Sequence, residues 1–219
     1  MTTQTDLANA ALAYIGSQKI ADIDDTTSVP ARACKRFIDD TIKEELTTNR
    51  WKCATKRQVL SKVAPTPSDL GDFYSAAYQL PADCLRVMEV NGEPWETAQQ
   101  YFSIEVNGRM LSSWGEANIL YVANIEVHQM HPLLADAIAL KLASKVALQL
   151  SASNDLQGQM LTFYNRQVSK ARQIDALERS QRATSNYWRN MGESPLVNSR
   201  YRYGGPDIYQ FGRYWVPWV

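Results

Sequence analysis

Apolar residues recur at helical spacing from the start of the chain. Leu7, Ala8, Ala11, Leu12 and Ile15 fall on one stripe, Thr3 or Thr5 is placed to cap it, and Gly16 ends it. The short link KIADIDD reads as extended. Ser28 before Pro30 then suits a helix start. The following PARACKRFIDDTIKEELTTNR carries Ala33, Phe37, Ile38, Thr41, Ile42 and Leu46 on its inner face, with Lys and Glu outside. The pattern changes after that. WKCATKRQVLSKV predicts an extended strand, and PTPSDLGD a loop. A strand is predicted from Leu85 to Val90, with Asn91-Gly92 as a hairpin turn. SIEVNGRMLSS repeats the device around Asn107-Gly108, and NILYVANIEV adds a further strand. Helices return at Pro132. Leu133, Leu134, Ala137, Ile138, Leu140, Leu142 and Val146 make the next helix apolar around much of its circumference, so it is expected at the centre of the body. SASN breaks it, with Ser153 or Asn154 as the next cap. The last helix is predicted from Asp155 to about Arg182, with Leu156, Met160, Phe163, Tyr164, Val168, Ala171, Ile174 and Leu177 on one side.

No period of 2 or 3.6 runs through the final segment. Tyr187, Trp188, Tyr201, Tyr203, Tyr209, Phe211, Tyr214, Trp215 and Trp218 are set there among Gly, Pro, Asn and Arg. Ordinary disorder is poor in such rings. Aromatics and Arg dominate interface energetics, so these nine are expected to be partner-binding residues of an extended docking arm. The fold class is therefore α+β and mainly α. A four-helix body (1–50 and 131–182) is interrupted by a β-rich insertion (51–130) and followed by an extended C-terminal arm (183–219). The helix pairs need each other, because an isolated pair buries too little apolar surface.

Lys+Arg and Asp+Glu are equal at 23 each among 219 residues. That balance argues against a dedicated nucleic-acid binder, whose affinity comes largely from neutralising phosphates. Gln181 onward nevertheless carries Arg182, Arg189, Arg200, Arg202 and Arg213 against Glu193 and Asp207. A DNA-binding module with an aromatic and Arg stacking arm is thus one alternative. Docking on protein also accounts for Leu196, Val197, Ile208, Val216 and Val219. Burial of the rings inside their own chain is a third reading. No basic region leads into an apolar run at the N-terminus, so no secretory signal is expected, and no membrane span is expected either. Cys34, Cys53 and Cys84 are odd in number and widely spaced, which predicts reduced thiols made in cytosol-like conditions.

Candidate chemistry is sparse. His128 and His131 have HxxH spacing, but Pro132 starts the helix only after them, and no zinc-like cluster follows. Asp39-Asp40 and Glu44-Glu45 offer paired carboxylates. A tail-associated cell-wall glycoside hydrolase using Glu44 or Glu45 is the enzymatic alternative. They share a polar helix face with Lys35, Arg36 and Lys43, which favours solvated pairing. Asp24-Asp25 read as turn and cap residues. No GxSxG, GxxxxGK or GxGxxG occurs. No catalytic residue, metal or cofactor is expected.

An ordered series of blocks resembles a known family. DLANAALAYIGSQKIADIDD is followed by ARACKRFIDDTIKEEL with Trp51 behind it, then YQLPADCLRVMEVNG, then HPLLADAIALKLASKVALQLSASNDLQGQMLTFYNRQVSKA. Across roughly residues 5–180 the series is similar to the tail tubular protein A family, the head-to-tail adaptors of short-tailed bacteriophages. The resemblance implies a non-enzymatic virion protein assembled in the bacterial host cytoplasm. It implies a homo-oligomeric ring of twelve copies beneath the portal protein, a platform for a tail nozzle of the tail tubular protein B kind and for tail fibres, and transient contact with double-stranded DNA in the lumen. In such a ring Arg166, Lys170 and Arg172 are candidates to line the channel.

Overall fold

The computed structural model describes residues 3–63, 73–105, 107–151 and 153–192, the stretch 179–192 for its backbone alone. Its described residues form an α+β fold, mainly helical, with two small antiparallel sheets. Two compact units are distinguished, Met1–Gln173 and Ile174–Val219.

Helix α1 (Gln4–Tyr14) starts from a reciprocal cap. Thr3 Oγ1 accepts from the Asp6 amide at 3.1 Å, and the Asp6 carboxylate accepts from the Thr3 amide at 3.2 Å. Gly16, at φ +69°, closes the helix in the left-handed region. The link beyond is sewn back onto α1 by Asn9, whose amide bonds both the N–H and the C=O of Ile20 at 2.9 and 3.0 Å. Helix α2 (Val29–Thr48) begins at Ser28 with Pro30 in its first turn.

The chain then enters strands β1 (Thr55–Val59), β2 (Lys62–Val63), β3 (Ala76–Gln79), β4 (Cys84–Val90) and β5 (Glu93–Pro94). A short helix α3 (Trp95–Ala98) leads to β6 (Phe102–Ile104), β7 (Arg109–Ser112) and β8 (Asn118–Ala123). One sheet has the order β1-β8-β4-β5, the other β2-β3-β7-β6. The single strand expected over WKCATKRQVLSKV is corrected to a 3₁₀ turn at Lys52–Ala54, then β1, then β2. Leu60 and Ser61 carry the chain from one sheet to the other. The Leu60 amide bonds the Ala117 carbonyl at 2.8 Å, and the Ser61 carbonyl accepts from the Gln79 amide at 3.3 Å. Strand β3 and helix α3 lie outside the expected set.

Both Asn-Gly turns form. Asn91 and Gly92 have φ of 52° and 89°, the paired positive values a two-residue hairpin turn requires. The Asn91 side chain fixes this corner, bonding the Glu116 carbonyl at 3.0 Å and the Asn118 amide at 2.8 Å. In the β6–β7 turn Gly108 stands at positive φ, +69°.

Helix α4 (Pro132–Ser151) is the centre of the body. Leu134, Ala137, Ile138, Leu142 and Ala143 are fully buried, and α1 and α2 both pack on it. The same core runs without a break into the sheets through Trp51, Val87, Val90, Ile119 and Val122. The divisions expected near residues 51 and 131 are therefore changes of element inside one compact unit.

Helix α5 (Asn154–Gly192) starts at Ser153, whose Oγ accepts from the Leu156 amide at 3.2 Å. Met160, Val168 and Ala171 are buried along it. Phe163 and Leu177, expected on that side, are corrected to exposed positions at 46% and 72%. At about 100° per residue Phe163 lies roughly 90° and Leu177 roughly 130° around the helix from the middle of the buried stripe. The helix also runs ten residues past Arg182. No Gly or Pro occurs from Ala176 to Met191, so nothing local stops it before Gly192. Residues 183–192, expected as extended arm, are thus helical.

Candidate functional site

The carboxylates singled out for glycosidase chemistry lie where α2, α4 and α5 meet. Positions 38, 41, 42, 45 and 46 fall on one face of α2, so Glu45 is carried inward with Ile38, Thr41, Ile42 and Leu46, and it has no exposed surface. Its Oε2 accepts from the Tyr164 hydroxyl at 2.6 Å and from Lys141 Nζ at 3.1 Å, and its Oε1 accepts from Asn49 Nδ2 at 2.7 Å. The Glu45 backbone carbonyl accepts from the buried Trp51 indole at 3.2 Å. Glu44 stands outside this cluster, 3.1 Å from Lys141 and 2.7 Å from Lys145. The Lys141 ammonium also sits 5.2 Å from the centre of the Tyr164 ring.

The electrostatics follow from these contacts. The Lys145 ammonium, joined by Lys141, holds the Glu44 carboxyl below its ordinary range. Burial pushes the Tyr164 phenol up to about 12, and the hydrogen bond to Glu45 adds to the rise. Burial works to lower Lys141, but the Glu45 charge and the hydrogen bonds Lys141 donates to both glutamates outweigh it, and the net shift is upward. A general acid must hold a proton to give, and Glu44 is biased the other way. Glu45 has no surface for a substrate and both oxygens are engaged. The pair acts as an ionic clamp joining three helices.

That clamp was legible in part. Lys141 is the first charge after Asp136 in a strongly apolar helix, and Glu45 interrupts an inward stripe. Two charges on two buried faces are an expected pair; Glu45, expected on the polar face of α2, is corrected to its buried face.

The other candidates are placed as follows. Tyr187 and Trp188 lie on the helical backbone of α5, and Tyr201, Tyr203, Tyr209, Phe211, Tyr214, Trp215 and Trp218 lie outside the described residues. Arg166, Lys170 and Arg172 are exposed. Arg166 and Lys170 share a face as an i,i+4 pair, whereas Arg172 lies roughly 120–160° around the helix from them, so the three do not make one strip. His128 is exposed on a 3₁₀ turn, and His131 Nδ1 accepts from the Leu133 amide at 3.3 Å at the start of α4. Among the described residues no three His, Cys, Asp or Glu side chains gather as a metal site. Asp25 accepts from the Thr27 amide at 2.8 Å, and Asp24 pairs with Lys35 at 2.6 Å. Burial pushes the Cys34 thiol up to about 11 and, with the neighbouring Asp83 charge, the Cys84 thiol to about 11. No helix among the described residues is long and apolar enough to cross a membrane.

No protein-family model matches the chain, and comparison with curated proteins gives no significant match.

Proposed function

We propose that this chain is a structural subunit of a phage virion, a head-to-tail adaptor that forms a ring between the portal and the tail nozzle and extends the DNA channel. One observation carries the reading: the ordered blocks that resemble the tail tubular protein A family each correspond to an element with a definite task in the fold. DLANAALAYIG is α1, with Asn9 holding the link that follows. ARACKRFIDDTIKEEL is the inner run of α2, and Trp51 behind it bonds back to Glu45. YQLPADCLRVMEVNG spans the end of β3, all of β4 and the Asn91-Gly92 turn. HPLLADAIALKLASKVALQL is the central α4.

In this reading the work is mechanical. Copies pack side by side through heterologous contacts that close by rotation into a ring of twelve. Each buried aromatic ring of the C-terminal segment contributes about 1.5–3 kcal/mol to docking on the portal or a neighbouring subunit. Repetition around the ring supplies avidity. DNA passes through without base-specific contact. The glycosidase alternative loses support, because Glu44 and Glu45 are already committed to Lys141, Lys145, Tyr164 and Asn49.

Electron microscopy of the purified protein mixed with the cognate portal tests the proposal. A closed ring seated coaxially on the portal is expected. A monomer that leaves the portal bare would overturn it.

A further inference from the structure

The charges of the first sheet are sorted by edge. At the β1 edge stand Arg50, Lys56 and Arg57, and residues 50–59 hold no carboxylate. Lys56, Arg57, Gln58 and Val59 are all exposed, Val59 at 68%. Glu89 reaches Arg50 at 3.0 Å and Arg57 at 3.7 Å, and Asp83 reaches Lys56 at 2.8 Å. Three cations, Arg50, Lys56 and Arg57, thus meet two carboxylates, and the balance at this edge is positive. At the opposite edge stand β5 and α3. No Lys or Arg occurs from residue 87 to 108. Glu93 and Glu96 are exposed there, and exposed Glu116 flanks the β4–β5 turn, its carbonyl held by Asn91 at 3.0 Å. A chain of zero formal charge thus carries opposite signs on opposite edges of one four-stranded sheet.

We infer that these two edges are the complementary halves of a contact between copies of this chain, the β1 edge of one copy meeting the β5–α3 edge of the next. Like edges repel, which selects head-to-tail over head-to-head association, and a head-to-tail contact is the kind that closes a ring. Apolar surface accompanies the charge: Val59 on one edge, exposed Pro94 and half-buried Trp95 on the other. Strand β5 is two residues long, and Pro94 lacks an N–H, so side chains make the contact and strand addition does not. Exposed ion pairs are individually worth about 0.2–1 kcal/mol, so the contact is weak per copy and weakens with salt. Only the closure of the contact into a ring rests on the adaptor reading.

Sedimentation of charge-reversed variants at low and high salt tests the inference. K56E/R57E makes both edges acidic, and E93K/E96K makes both basic. Each is expected to self-associate about tenfold more weakly than wild type, as loss of a few pairs implies. Mixing the two restores association, because acidic copies alternate with basic ones, and the fourfold swap on one chain restores it as well. Should the glutamate variant misfold by circular dichroism, K56Q/R57Q is expected to show a smaller weakening. Variants that assemble like wild type, a mixture of folded variants that fails to recover, or a wild type monomeric at every salt concentration would each overturn the inference. So would salt-sensitive capture of a short DNA duplex by the β1 edge with self-association unaffected by the substitutions. Variants that still form rings on the portal leave the adaptor reading standing. Charge-dependent association with no portal binding sinks that reading and keeps this one.

Discussion

Glu45 shows how much a single position can hold. Its carboxylate is buried and joins side chains from α2, α4 and α5. Removing one partner of such a pair strands the other charge. Glu45→Ala is therefore expected to lower stability by about 3–5 kcal/mol in urea denaturation, and Glu45→Gln by less, since an amide keeps part of the hydrogen bonding. Tyr164 gives the cluster a pH signature. Its phenol is raised from 10.0 to about 12 in the folded protein, so its contribution is complete below pH 10 and is lost as pH rises toward 12. The stability difference between wild type and Tyr164→Phe should shrink across that window, measured by denaturation at fixed pH. Glu44, lowered from 4.5, works at the other end: its contribution is present above that pH and fades in acid.

Elements are where the sequence was most readable. The cap at Thr3, the stop at Gly16, the start at Ser28-Pro30 and the Asn91-Gly92 turn are all local signals, and each forms. Gly92 leaves open space where a Cβ would stand, so its requirement is conformational alone. Gly92→Ala is expected to cost about 1–2 kcal/mol by thermal or urea denaturation, the expense of an L-residue in the left-handed region. What local reasoning missed depends on distant partners. The run from Trp51 to Val63 has the composition of one strand, yet Leu60 turns inward and the run serves two sheets. Glu45 carries the chemistry of a surface residue, and only Lys141 and Tyr164, about a hundred residues away, explain its burial. The end of α5 lies later than the loss of its apolar period predicts, because the stretch through Tyr187 and Trp188 holds no helix breaker.

At the scale of the whole molecule, the adaptor reading makes the C-terminal segment dispensable for folding and needed for docking. A chain ending at Gly192 should melt within a few degrees of the full-length protein and fail to bind the portal in co-sedimentation. Unchanged binding by that truncation would move the docking site elsewhere while leaving the fold as described. The passage of Leu60 and Ser61 between the sheets has a bearing on how such a protein withstands load. Both residues are hydrogen-bonded, one into each sheet, and ladder bonds of this kind lie across the strand direction. A tug along this strand passes from one ladder to the next through Leu60 and Ser61, with no slack loop between them to pay out.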